Sequence, residues 1–174
     1  HGHRIMKVVD ELIHPVIAVV NGHSYGGSLE LALAADIRIG EIGSRYGFPE
    51  AMVGTIPGWF GTHKALQLIG PSRLKKLIFT GIPITAEEAL EIGLLDELVP
   101  AGEGIDKARE IAALIGKTSP VSVHLGKQIV NSLASGQPAS ALESIGGGLA
   151  ALSSDGREGR EAFLEKRSPS FKGY

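Results

Sequence analysis

The ten residues Gly26-Gly27-Ser28-Leu29-Glu30-Leu31-Ala32-Leu33-Ala34-Ala35 constrain this chain more than any other stretch. The glycine pair opens a helix whose helical part, Glu30 apart, is apolar on every side. A helix apolar all round is a buried helix, so the rest of the chain must surround it. With 174 residues that is feasible, since a domain of this size buries roughly 70% of the surface its unfolded chain exposes. Glu30 is then the anomaly. A carboxylate inside such a helix is costly unless paired or protonated, and burial raises a carboxyl's pKa toward the range useful for proton transfer near neutrality. Glu30 also follows Gly27 by three residues, about one turn or ~4.5 Å along the axis. The unpaired N–H groups and dipole of the helix start favour negative charge. A donor for a developing oxyanion and a carboxylate would therefore share one face. The other reading is a structural glutamate paired with an Arg or Lys elsewhere.

A second carboxylate, Glu50, sits in the apolar context Tyr46-Gly47-Phe48-Pro49-Glu50-Ala51-Met52-Val53, with Pro49 fixing the backbone before it. It is either an exposed loop residue or the partner of Glu30, one serving as base and the other as acid. Gly54-Thr55-Ile56-Pro57-Gly58 is a turn at which backbone can approach a ligand closely, or simply a turn. Trp59 and Phe60 follow it as pocket wall or as core.

Around these stretches the pattern predicts a helix over 4–13 with Ile5, Val8, Val9 and Leu12 on one face, and a buried strand over 16–20. A short strand over 37–39 precedes a Gly- and Pro-punctuated loop from Gly40 to Gly61. Helices are expected over 62–69 and 72–79. Thr85-Ala86-Glu87-Glu88 reads as a capping box opening a helix that stops at Gly93. A strand over 94–99, helices over 105–115 and 121–133, and two helical segments between Ala139 and Lys166 complete the chain. Strands come early and helices late, so the class is α/β with a helical C-terminal region.

Composition removes several function classes. There are 17 Lys and Arg against 19 Asp and Glu, a net charge of −2, without the basic surplus of a nucleic-acid protein held by bulk charge. Cysteine is absent, which removes disulfides, thiolate metal sites and a Cys nucleophile. No apolar run reaches the ~18 residues of a membrane helix, and no signal peptide opens the chain, so a cytoplasmic location is expected unless a targeting signal preceded His1. A start at His1 rather than Met fits a processed N-terminus or a fragment. No pair of histidines has zinc-protease spacing, and no phosphate loop or dinucleotide glycine pattern is present. No metal site is expected. His124 reads as a satisfied packing residue, His63 as a surface one, and Arg73, Lys75 and Lys76 as a solvated helix face.

Pro15 to Glu50, read as Pro-Val-Ile-Ala-Val-Val-Asn-Gly…Gly-Gly-Ser-Leu-Glu-Leu-Ala-Leu-Ala-Ala-Asp-Ile-Arg-Ile…Tyr-Gly-Phe-Pro-Glu, resembles the enoyl-CoA hydratase/isomerase (crotonase) family. The likeness continues through Gly54-Thr55-Ile56-Pro57-Gly58, Phe79-Thr80-Gly81 and 89–95. It ends in Glu158-Gly159…Ala162-Phe163-Leu164-Glu165-Lys166-Arg167. It implies a crotonase-type ββα spiral, its C-terminal part over 1–115, followed by a helical trimerisation and CoA-contact region over 116–174. By the same resemblance Gly27 supplies one oxyanion N–H, and Glu30 and Glu50, 20 positions apart, are the two glutamates of the hydratases. Gly58 matches a backbone donor to the catalytic water. Gly26, Pro49, Pro57 and Trp59 join Gly58 on the substrate side, with Phe163 and Lys166 as CoA contacts. The implied ligand is an acyl-CoA, with no further cofactor, and the implied assembly a homotrimer or homohexamer.

The chain departs from the family in two ways. About the first third of the family's length, with the second oxyanion N–H and much of the adenine and phosphate contact, has no counterpart here. Small residues commonly follow Gly58 in the family; Trp59-Phe60 here are expected to shorten or reshape the acyl pocket. The expected activity is hydration of an enoyl-CoA. Isomerase, hydrolase or decarboxylase chemistry on the same thioester, or a non-catalytic acyl-CoA-binding subunit, are the alternatives.

Overall fold

The structure, a computed structural model, describes residues 1–138 and 140–174. Its contacts separate two compact units, one of residues 1–12 and 16–109, the other of residues 13–15 and 110–174.

The first unit is built from repeated strand–strand–helix turns. β1 (Ile17–Val20), β2 (Ser24–Tyr25) and α2 (Gly27–Ala34) make one turn, preceded by α1 (Gly2–Asp10). β3 (Ile37–Glu41), β4 (Arg45–Gly47), a 3-10 helix (Pro49–Val53) and α3 (Gly61–Thr80) make the next. β5 (Ile84–Thr85), α4 (Ala86–Glu91) and β6 (Glu97–Val99) follow. Each turn adds a strand to each of two sheets. One sheet has the order β1-β3-β6, all parallel, with Ile17 opposite Ile37 and Ile39 opposite Glu97. The other has the order β2-β4-β5, with β2 parallel and β5 antiparallel to β4. Leu29 and Leu33 of α2, Tyr46 and Phe48 around β4, Ala65, Ile69, Leu74 and Leu77 of α3, and Leu94 and Leu95 form one buried cluster. The helix apolar on every side is thus the one the core is packed around.

Buried polar groups lock the turns together. Arg38 of β3 donates to Asp96 Oδ2 at 2.7 Å and to the carbonyls of Leu94 and Ala35. The Glu41 carboxylate accepts the N–H groups of Gly102 and Gly104 at 2.8 and 3.0 Å, capping α5 (Gly104–Ile115), within which the boundary between the units falls.

In the second unit, α6 (Pro120–Ala134), α7 (Ser140–Leu152) and α8 (Ser154–Glu165) follow one another. Ser119 and Ser153 cap α6 and α8 through Ser122 N and Gly156 N. The buried Asp155 carboxylate, 2% exposed, accepts the Ser119 hydroxyl and the N–H groups of Lys172 and Gly173. Arg167 grips both oxygens of Glu158, which also accepts Ser170 N–H. The last seven residues are thereby tied back to α8.

Several expectations need correction. The 40–61 segment is not a plain loop, because it holds the end of β3, all of β4 and the 3-10 helix. The strand expected over 94–99 starts only at Glu97, since Leu94 and Leu95 turn into the core. α1 ends at Asp10 and buries Gly2 and Met6, leaving Ile5, Val8 and Leu12 exposed. α2 is not covered all round, for Leu31 is 44% exposed. His124 is not satisfied: its Nδ1 is buried and makes no hydrogen bond among the described residues. His63, Arg73, Lys75 and Lys76 are exposed as expected. The two helices expected over 62–69 and 72–79 are the two arms of α3, broken at Gly70 before Pro71. The start of the tail helices at Ala139 lies outside the described residues.

Candidate active site

The first turn of α2 brings the two glutamates together. Gly26, its N-cap, has φ 52° and ψ −126°, a conformation open to glycine and closed to other residues. A Cβ there would also stand 2.8 Å from Glu50 Oε1. Gly27 is needed for a different reason, since a Cβ on it would lie 2.6 Å from the Trp59 ring. One glycine makes room for a carboxylate and the other for an indole. The first N–H groups of α2, including that of Gly27, have no intrahelical acceptor.

Among the described residues, neither Arg nor Lys holds Glu30, which is 3% exposed. Its Oε1 accepts two backbone N–H groups, from Trp59 at 2.8 Å and from Gly61 at 2.9 Å. Gly61 must be glycine for the chain to pass so near, because a Cβ would be 2.3 Å from Glu30 Cγ. The second of the two readings of Glu30, a salt-bridged structural residue, is therefore wrong about its partners.

Glu50 is on the 3-10 helix, with Pro49 at its first position. It is partly buried rather than an exposed loop residue, and its Oε2 is buried without a hydrogen bond among the described residues. Burial pushes its carboxyl pKa up, its own backbone N–H pulls it down, and the nearby Glu30 charge adds to the rise. A carboxyl held toward its neutral form has a proton to give.

Trp59 is neither core nor free surface. It is 49% exposed, with its ring lodged against Gly2 of α1 and Gly27 of α2. Pro57 is buried and Gly58 exposed. Phe163 of α8 and Lys166, its C-cap, belong to the second unit, and both side chains are exposed. Among the described residues no group of three or more His, Asp or Glu could hold a metal, and no helix is long and apolar enough to cross a membrane.

The model of the enoyl-CoA hydratase/isomerase family matches residues 3–174. The chain belongs to this family. Similar curated proteins include a short-chain-enoyl-CoA hydratase of Clostridium acetobutylicum, 39% identical over 168 residues, which covers 95% of this chain and 64% of that protein. A crotonyl-CoA hydratase of Syntrophomonas wolfei is 35% identical over 172 residues, covering 98% of this chain and 66% of that protein. The crystal structure of an enoyl-CoA hydratase from Bacillus anthracis superposes with a TM-score of 0.93 at 38% identity, over 99% of this chain and 68% of that one. The fold is that of the crotonase family, and the chain spans about two thirds of the length of the relatives it matches.

The donors to Glu30 escaped the sequence. Trp59 N–H and Gly61 N–H act through the backbone. Only the spacing Gly58-Trp59-Phe60-Gly61 hinted at a tight turn there.

Proposed function

We propose that this chain hydrates the C2–C3 double bond of an enoyl-CoA thioester. The observation that carries the reading is the meeting of a buried and a partly buried carboxyl group beside the start of α2, one held by two N–H donors and the other pushed toward its neutral form. In this reading Glu30 takes a proton from water as the oxygen attacks C3, and Glu50 delivers a proton to C2. Negative charge that develops on the thioester oxygen meets Gly27 N–H at the helix start, where a preorganised donor is worth most. Gly58 N–H holds the water. Gly26, Pro49, Pro57 and Trp59 border the acyl group.

The family name spans isomerases as well as hydratases. Two carboxyl groups favour hydration, because one must activate water while the other moves a proton to carbon. The test is incubation of crotonyl-CoA in isotopically labelled water. Hydration leaves the label's oxygen on C3 and one solvent hydrogen on C2. Isomerisation of crotonyl-CoA to and from its 3-enoyl isomer, by proton removal at C4 and protonation at C2, would exchange hydrogen alone, and that result would replace the reading.

A homotrimer or homohexamer is proposed with it, supported by exposed apolar side chains such as Met52, Val53, Phe79, Leu152, Phe163 and Leu164. Light scattering of the purified chain should give three or six times the single-chain mass. A monomer at micromolar concentration would contradict it.

A further inference from the structure

Two residues other than glycine have left-handed backbone among the described residues, Phe60 at φ 90° and Lys166 at φ 56°. Lys166 is a helix C-cap, where that conformation is ordinary. Phe60 precedes the first residue of α3 with ψ −7°, and a helix N-cap is normally extended. A bulky aromatic residue at such an angle is a costly choice for the chain.

We propose that Phe60 is a positioning residue for Glu30, acting through its backbone. Its neighbours on either side, Trp59 and Gly61, both turn their N–H groups onto the same oxygen, Glu30 Oε1. In an ordinary extended or helical segment, N–H groups two residues apart do not converge on one atom. A left-handed residue between them bends the chain into a concave N–H cradle of the kind that binds anions. The anion here is the protein's own buried carboxylate.

The ring holds the angle in place. It stacks on His63 at 4.8 Å between centroids and meets His3 of α1 edge-on at 5.5 Å. Lys64 Nζ lies 5.7 Å from its centre and pairs with Asp10 of α1 at 2.5 Å. Contacts from both α1 and α3 therefore offset the strain.

The inference rests on the hydratase reading for its activity readout, so the test carries a second readout. Phe60→Ala keeps the left-handed penalty and loses the ring. Phe60→Gly loses the ring as well but relieves the penalty. A merely packing role would let hydration per mole of folded protein stay alike in both variants, because both lose only the ring, and would move stability alone. Positioning through the backbone separates the two variants in hydration. Crotonyl-CoA hydration per mole of folded protein is expected to fall about tenfold or more in the Ala variant and to stay within about threefold of the parent in the Gly variant. The Gly variant is also expected to melt higher, with the emission of Trp59, the chain's one tryptophan, closer to that of the parent protein. A folded Gly variant that keeps hydration and the parent's Trp59 emission, beside an Ala variant that fails to fold, supports the proposal equally. Equal variants, an Ala variant better than Gly, or loss of fold in both would overturn it. A parent protein that does not hydrate crotonyl-CoA would remove the hydratase reading, while Trp59 emission, which reports the residue whose N–H holds Glu30, would still show whether the Gly variant keeps that turn and the Ala variant loses it.

Discussion

At the scale of single residues, Glu50 makes the most distinctive claim. Its carboxyl is pushed above the ordinary 4.5 by burial, with Glu30 adding to it. A group whose folded pKa is raised binds more protons folded than unfolded, so stability falls as pH rises from the unfolded value through the folded one. Glu50→Gln removes that penalty. The variant should therefore melt higher than the parent near neutral pH, with the gain gone well below pH 4.5. Melts of both proteins across this range check it, and a Gln variant less stable at neutral pH would contradict the direction. The two glutamates were legible in the sequence because a carboxylate in an apolar helix or turn stands out by residue type. What holds Glu30 was not legible. Its partners are backbone N–H groups, which every residue but proline carries, and they converge through one dihedral angle at Phe60 that side-chain chemistry does not announce.

At the scale of elements, the turn between the 3-10 helix and α3 matters most, because it passes within contact of Glu30. Gly61→Ala would place a Cβ 2.3 Å from Glu30 Cγ and 2.9 Å from its Oε1. Overpacking of this kind costs about 1–3 kcal/mol, and here it would also displace the carboxylate. The variant should lose stability by that amount in denaturant titration and lose hydration by more than the stability change accounts for. Full activity with a shifted melting point would show that Glu30 tolerates displacement. Elements with chemical end-signals were readable in advance. The capping box at Thr85 and Glu88 is present in both directions, Glu88 N–H to Thr85 Oγ1 and Thr85 N–H to Glu88 Oε2. The Gly70-Pro71 break in α3 was equally plain. β2 and β5 were missed because two residues are too few for alternation to show, and β4 because its three residues sit among glycines. These strands exist through pairing with one another, which is a tertiary event.

For the molecule as a whole, the spiral was implied by family resemblance rather than by periodicity. The local pattern supported only strands early and helices late. Pattern also marks which residues are apolar without saying what covers them, hence the exposed Ile5 and Val8 of α1 and Leu12 just after it. Acid sensitivity belongs to this scale too. In the helical unit, Arg167 and Ser170 N–H hold Glu158 down to about 2 from 4.5. Burial pushes Asp155 up, but Lys172 N–H, Gly173 N–H, the Ser119 hydroxyl and Val121 N–H outweigh it and leave its pKa lowered. Folded pKa values below the unfolded ones contribute stability above the unfolded pKa, lost as pH falls through the folded value. For Glu158 that window runs from pH 4.5 to about 2. The C-terminal seven residues should therefore loosen before the strand-built unit as pH drops through this window. Hydrogen exchange at Lys172 and Gly173 should rise first, and in Asp155→Asn it should be fast already at neutral pH. Uniform exchange across both units would contradict this.

The central claim is that Glu30 and Glu50 together add water to an enoyl thioester. The most direct measurement follows loss of the enoyl-thioester absorbance of crotonyl-CoA with the parent chain, Glu30→Gln and Glu50→Gln. The account predicts hydration by the parent chain, turnover lower by about 10²–10⁴ in each variant, and acyl-CoA binding little changed. No hydration by the parent chain, or near-full activity in either variant, would contradict it.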